Sequence, residues 1–439
     1  MTTSNAPVII VGGGWAGLAA AVELSRQRVP VILLESAKQL GGRARCVLHD
    51  GQRLDNGQHL LLGAYSSTLE LLHIVGVREE DALLRRCLSL RYAHADGRNV
   101  ELNTPRLPAP LHLALGLMTA KGLPWRDRTR ALRFSRAMKR NGFELEHDCS
   151  VAELLDTHGQ SPRLIEAVWE PLCLGALNTH VHEASAQIFL RVLSDSFQHA
   201  RSDSDLLIPR TDLGAILPRP AFDFIEGREG HVQLGRRVTG LRVQNDAVCG
   251  VDIGEQSLDG VQVVLAVPPA AALRLTKPHE ALSEIGRGLA RLKHRPICTV
   301  YLQYPETVKL EREMLGSLGT VSQWIFDRSI HGQRGLMAVV ISGDGEHMEW
   351  DNDVLCATVR DELARRFPRW PAPVNTHCIR EKRATFAATV NVNERRPKQR
   401  TPLKGLWLAG DYTDTGLPAT LEGAVRSGLE CAREIIRQR

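Results

Sequence analysis

Aromatic residues make up only 5% of the 439 positions, too few for a stacking surface along single-stranded nucleic acid. Charge of one sign is also scarce. Lys and Arg number 55 against 50 Asp and Glu, a formal net charge of +5, so no blanket nucleic-acid affinity is expected. The nine Cys lie far apart and never as Cys-x-x-Cys. A disulfide framework or a metal site is therefore not expected, and free thiols in a reducing compartment are. No apolar run approaches the ~20 residues of a membrane span. The longest, Leu107–Met118, is broken by Pro108, Pro110 and His112. Met1–Pro7 is polar and Val8–Val11 too short for a signal core, so no leader is expected and the location reads as cytoplasmic.

Apolar residues at 43% and charged residues at 24% are those of a globular protein. The length suits two or three domains, or one large domain with a second built into it. Val8–Val11 is an unbroken apolar run, the pattern of a buried parallel strand. Gly12-Gly13-Gly14-Trp15-Ala16-Gly17 follows it. Leu18, Ala21, Val22 and Ser25 then recur at helical spacing, Pro30 ends the helix, and Val31–Glu35 reads as a second strand. Glycines 12, 14 and 17 open a helix after a strand, with an acid 18 residues past the third. This is the pattern of a dinucleotide site. Gly12 permits the tight turn, Gly14 the close approach of a pyrophosphate, and Gly17 close packing of helix on strand. Trp15 and Ala16 begin the helix whose N-terminus favours phosphate. Glu35 can accept a hydrogen bond from a ribose 2′-hydroxyl and would repel a 2′-phosphate.

Further along, residues 66–200 read as mainly helical, and 230–267 as short strands with Gly/Asp turns. Residues 297–304 and 336–341 are further strand candidates, and the last 35 residues read as a strand followed by a helix from Thr420 to Arg437. Thr420 is expected to cap that helix, and Glu422 and Arg426 to pair on the side away from its apolar face.

Leu40-Gly41-Gly42-Arg43-Ala44-Arg45 places two glycines and two arginines just beyond Glu35, an extension that a long flavin dinucleotide can use. Here the sequence resembles the glutathione-reductase-like FAD proteins, in their amine oxidase and carotenoid desaturase branch. Leu406–Asp411 matches the distant C-terminal fingerprint of that branch, a strand ending in Gly410-Asp411. The resemblance implies an α/β fold: a Rossmann-like FAD-binding domain with an inserted α+β substrate domain. Residues 12–43 and 410–423 must then reach one cofactor. The expected domains are 1–65, 205–290 and 385–439 for FAD, and 66–204 with 291–384 for substrate. Asp411 would meet a ribityl hydroxyl, the helix opening at Leu421 would face the flavin pyrimidine, and Val238 would meet the adenine end through its backbone.

Three segments narrow the resemblance: Asp55-Asn56-Gly57-Gln58-His59; Glu170–Thr179 with Glu183–Ala186; and Leu417–Gly428. Together they are similar to the squalene-associated FAD desaturases of bacterial hopanoid clusters, the hydroxysqualene dehydroxylases. That implies FAD-dependent reductive removal of a hydroxyl from a C30 isoprenoid, with an electron donor that is not identified. His59 and Asp414 are the candidate general acids. The alternatives are a carotenoid or phytoene-type desaturase, a flavin amine oxidase, and a prenyl-binding protein without flavin. Against the amine oxidase, Thr420 stands where those enzymes commonly carry a cage Tyr. Finally, Leu107–Arg140 pairs an apolar start with eight Lys/Arg from Lys121 to Arg140 against one acid, Asp127. It reads as a peripheral contact with the inner face of the cell membrane, Trp125 and Phe134 among the bases and Arg128, Arg130, Arg133 and Arg136 meeting the headgroups.

Overall fold

The computed structural model describes residues 6–49 and 51–439; the polar start at 1–5 lies outside the described residues. A five-stranded sheet forms the first half, in the order His231–Leu234, Val31–Glu35, Val8–Val11, Val263–Leu265, Leu406–Leu408. Every pair in it is parallel. Its inner strands read as continuous apolar runs because both faces are covered. On one face the helix Trp15–Arg26 packs against the C-terminal helix Leu421–Arg437. Gly428 makes that contact possible: a Cβ there would stand 2.0 Å from the Ala16 carbonyl oxygen. The helix Ser66–Ile74 joins this half, since Leu71 and Leu72 share a core cluster with Val8, Leu33 and Trp407.

The second half is built on a seven-stranded sheet in the order Asn375–Phe386, His294–Gln303, Leu336–Ser342, Trp324–Asp327, Met314–Leu318, Ser89–His94, Asn99–Asn103. All neighbours are antiparallel except Met314–Leu318 with Ser89–His94. Both strands expected near 300 and 340 are in it. The stretch 66–200 is less helical than its spacing suggests, because Leu83–Arg86, Ser89–His94 and Asn99–Asn103 are strands. Their pattern is short and alternating, and cross-strand pairs hold it: Leu90 opposite Leu102, Tyr92 opposite Val100.

Arg328 joins the halves. Its guanidinium pairs with Asp55 at 2.7 Å, both side chains 1% exposed, and also donates to Gln58 at 2.7 Å. Tyr301 adds a bond to the Asp55 carbonyl at 2.9 Å. The loop Asp55–His59 is thereby fixed on the edge of the second sheet.

Candidate functional site

All five parallel strands point their carboxyl ends to one edge, where ligands of such sheets bind. Gly12 leaves the first strand with φ +109°, and a Cβ there would lie 2.3 Å from the Ala266 oxygen. A Cβ on Gly17 would lie 1.9 Å from the Gly12 oxygen. These two glycines are required by packing. Gly14 is different: the nearest atom to its Cβ position is the Gly42 Cα at 3.9 Å. It caps the helix Trp15–Arg26 without any side-chain hydrogen bond. The peptides of Gly14, Trp15 and Ala16 thus form an uncapped helix start with open space beside it, a cradle for an anion.

Glu35 closes the second strand. Its carboxylate accepts from the Gly13 and Ala37 N–H groups, each at 2.7 Å. It therefore shapes the glycine loop as well as offering its remaining lone pairs to a ribose. Gly41 donates to the Gly13 carbonyl at 2.8 Å, which lays Gly41-Gly42 against the first loop. Val238 is buried beyond the strand His231–Leu234, in one cluster with Val11 and Leu34. Its N–H and C=O take part in no hydrogen bond among the described residues. Such a buried pair, left over by the fold, suits an outside donor and acceptor.

Arg43 carries the site across the sheet. Its guanidinium reaches Asp411 Oδ1 at 2.6 Å and the Ala384 carbonyl at 2.6 Å. Burial alone would lower the Arg43 pKa; the Asp411 carboxylate outweighs it and raises the guanidinium above its ordinary value. Asp411 sits after Gly410, whose N–H is held by Ser427 Oγ at 2.8 Å. Arg396, buried over the ring of Phe386, donates to the carbonyls of Asp411 (3.1 Å) and Thr413 and to the Thr415 hydroxyl (3.3 Å). Burial lowers its pKa to about 10. Nothing in its spacing marks Arg396 in the sequence, yet it holds the whole Asp411 turn.

Thr420 caps the final helix as expected, accepting from Gly423 N–H at 3.0 Å, with Leu421 half-buried at its start. Glu422 and Arg426 pair at 2.7 Å. They do not lie on a solvated face: Glu422 is buried and accepts the Ser67 and Thr68 N–H groups, capping the helix Ser66–Ile74.

The two acid candidates part company. His59 lies in the fixed loop, and its Nδ1–H must donate to the Gly57 carbonyl at 2.9 Å, which leaves Nε2 as an acceptor. Burial lowers its pKa below 6.5 and so opposes the imidazolium. Asp414 is exposed, on the outer side of the Asp411 turn beside Arg396 and Glu430. It lacks the dry surroundings that a proton donor to an apolar substrate needs. The segment around Asn178 is architectural. Its side chain bonds Gly343 N–H (2.6 Å), the Pro296 carbonyl (3.1 Å) and Thr385 Oγ1 (2.9 Å), pinning the end of the strand that carries Ala384.

An open glycine cradle, an acid at the second strand, an unpaired main-chain clamp and a distant Arg–Asp link fit a dinucleotide laid from one end of the site to the other. Fold and site together define a flavoprotein oxidoreductase. Residues 15–436 match the family described as flavin containing amine oxidoreductase. The chain belongs to that family, and its cofactor is FAD. It is 29% identical over 453 residues to a hydroxysqualene dehydroxylase of Rhodopseudomonas palustris, covering 97% of each chain. It is 26% identical to a 15-cis-phytoene desaturase of an Oncidium hybrid cultivar, over 98% of this chain and 78% of that one. Among solved structures, an oxidoreductase from Methanosarcina mazei superposes with a TM-score of 0.77 at 15% identity, over 98% of this chain and 100% of that one.

Proposed function

We propose that the protein is an FAD-dependent hydroxysqualene dehydroxylase, which removes the hydroxyl of hydroxysqualene to give squalene. The carrying observation is similarity to hydroxysqualene dehydroxylases over 97% of both chains, where the desaturase similarity leaves about a fifth of the relative uncovered. In this reading the loops at Gly12–Gly17 and Gly41–Gly42 hold the pyrophosphate, Glu35 the adenosine ribose, Val238 the adenine, and Asp411 the ribityl chain. Arg43 and Leu421 stand at the flavin end. The chemistry that FAD would supply when bound and reduced is hydride donation. The protein's own contribution is to orient the C30 chain, exclude water and deliver a proton to the hydroxyl. His59, an acceptor at Nε2 in its neutral form, orients that hydroxyl.

The substrate is insoluble in water, so the enzyme collects it from the cytoplasmic face of a membrane. No described helix is long and apolar enough to cross one. A surface suited to lying on one is present: Leu107, Leu111, Leu115 and Trp125 are exposed on the helices Leu111–Thr119 and Trp125–Arg140 and their approach. Arg126, Arg133 and Arg136, on the second of these helices, are also exposed. Two bases have other work. Arg128 ties the carbonyls of Met118 (2.8 Å) and Leu123 (3.0 Å), and Arg130 pairs with Asp127 at 3.2 Å. Phe134 points into the core.

The test is product analysis. FAD-loaded protein with hydroxysqualene and dithionite is expected to yield squalene, and with phytoene and a quinone to yield nothing. The reverse outcome would make it a desaturase.

A further inference from the structure

We propose that Glu381 is the proton donor of the dehydroxylation, the group that converts the substrate hydroxyl into departing water. The proposal rests on the function read above. An allylic C–O bond in apolar surroundings breaks when a proton reaches its oxygen, so the donor must stand where the glycine loops and the Asp411 turn converge and must not be engaged in an ion pair.

The carboxyl groups around the cofactor edge are nearly all committed. Asp411 is held by Arg43 at 2.6 Å and Asp55 by Arg328 at 2.7 Å. Glu422 is bound by Arg426 and two helix N–H groups. Glu381 is not tied in this way. It lies on the strand Asn375–Phe386, opposite Ile297, three residues before the Ala384 carbonyl that receives Arg43. It forms no ion pair among the described residues. Its oxygens accept from neutral donors only, Asn56 Nδ2 at 3.1 Å and the Arg383 N–H at 3.2 Å. The same Asn56 amide also donates to the Arg43 carbonyl at 3.2 Å. One side chain therefore fixes Glu381 to both the second glycine fingerprint and the loop of His59. The guanidinium charge that couples to it is that of Arg43; on the neighbouring strand, burial, then Arg43 and Arg383, lower the His294 pKa and oppose its imidazolium.

The step balances simply. The Glu381 proton goes to the hydroxyl oxygen, and the C–O electron pair leaves with it as water. The carbon gains the hydride drawn from the two-electron reductant, and the Glu381 carboxylate regains a proton from solvent.

The experiment compares wild type with Glu381→Gln and Glu381→Asp, all FAD-loaded and reduced with dithionite, in single turnover. Two substrates are used: hydroxysqualene and its acetate ester, whose leaving group departs without protonation. Glu381→Gln is expected to slow the alcohol about 100-fold or more and to leave the ester within about threefold, with partial recovery in Glu381→Asp. A binding measurement needs no turnover: an allylic amine analogue of hydroxysqualene, titrated into oxidised enzyme, should bind about tenfold more weakly to Glu381→Gln through loss of an ion pair. Equal slowing of alcohol and ester, or an unchanged alcohol rate, overturns the role of Glu381. If wild type converts neither substrate, the dehydroxylation reading itself fails, a result distinct from either.

Discussion

Arg43 Nη2 donates to Asp411 Oδ1 at 2.6 Å across 368 residues of sequence. The pair joins the loop after the second strand to the loop after the last one. The Asp411 side chain is 9% exposed and that of Arg43 34%. Removing either partner leaves a largely buried charge without its counter-ion. Arg43→Met and Asp411→Asn should each cost about 2–3 kcal/mol, discounted from the fully buried case because Arg43 is partly wet. Flavin titration into the apoprotein and thermal unfolding would check this, both variants losing flavin affinity by at least about tenfold. Undiminished affinity in both would separate the pair from the cofactor.

Gly428 packs against the first turn of the helix Trp15–Arg26, and its replacement should release flavin. In Gly428→Ala the new Cβ would stand 2.0 Å from the Ala16 oxygen, and the first helix must shift. Overpacking of this kind costs about 1–3 kcal/mol, and the shift falls at the anion cradle itself. The check is the FAD dissociation constant beside the melting temperature, with Gly286→Ala as control, since its Cβ meets only Leu273 at 3.7 Å.

Acid should destabilise the protein through His331. Both its ring nitrogens are buried without partners among the described residues, and burial, with Arg328 next in effect, lowers its pKa to about 3. The folded chain thus keeps His331 neutral while the unfolded chain protonates it below about 6.5. Stability is therefore full above 6.5 and falls as pH drops towards 3, by at most about 1.4 kcal/mol per pH unit. Chemical denaturation from pH 7 to 4 should show a shallower slope in His331→Phe than in wild type.

The membrane-facing surface separates two kinds of arginine. Leu111→Ser with Leu115→Ser and Trp125→Gln should reduce sedimentation with anionic vesicles and leave the melting temperature within a few degrees. Arg128→Gln should do the opposite, since it frees the carbonyls of Met118 at a helix end and Leu123 in the linker and costs about 1–3 kcal/mol. Vesicle binding unchanged by the triple variant would place the membrane contact elsewhere.

Much of the cofactor half is legible in the sequence because its signals are local. Val8–Val11, Val31–Glu35 and the Gly410-Asp411 turn each declare themselves within a dozen residues. The Thr420 cap is legible for the same reason. What escapes is long-range. No spacing links Arg43 to Asp411, Asp55 to Arg328, or Asn56 to Glu381. Glu422 looks like half of a surface pair and proves to cap another helix, because its partners Ser67 and Thr68 stand more than 350 residues away. The strands at 83–103 escape because their short alternation sits inside a run of helical spacing, and tertiary pairing decides. Arg128 reads as one base in a basic run; only packing of the two helices shows it tied to carbonyls. Asp414 shares a loop with Asp411, but a turn of three residues carries it to the opposite, wet side.

The most direct test of the account is a single turnover in heavy water. Enzyme carrying FAD is photoreduced anaerobically in D2O, where the flavin hydrogens exchange with solvent, and mixed with an equal amount of hydroxysqualene. The account predicts stoichiometric return of the oxidised flavin spectrum and squalene carrying a single deuterium at the carbon that bore oxygen. A flavin that stays reduced while hydroxysqualene is recovered intact would contradict it.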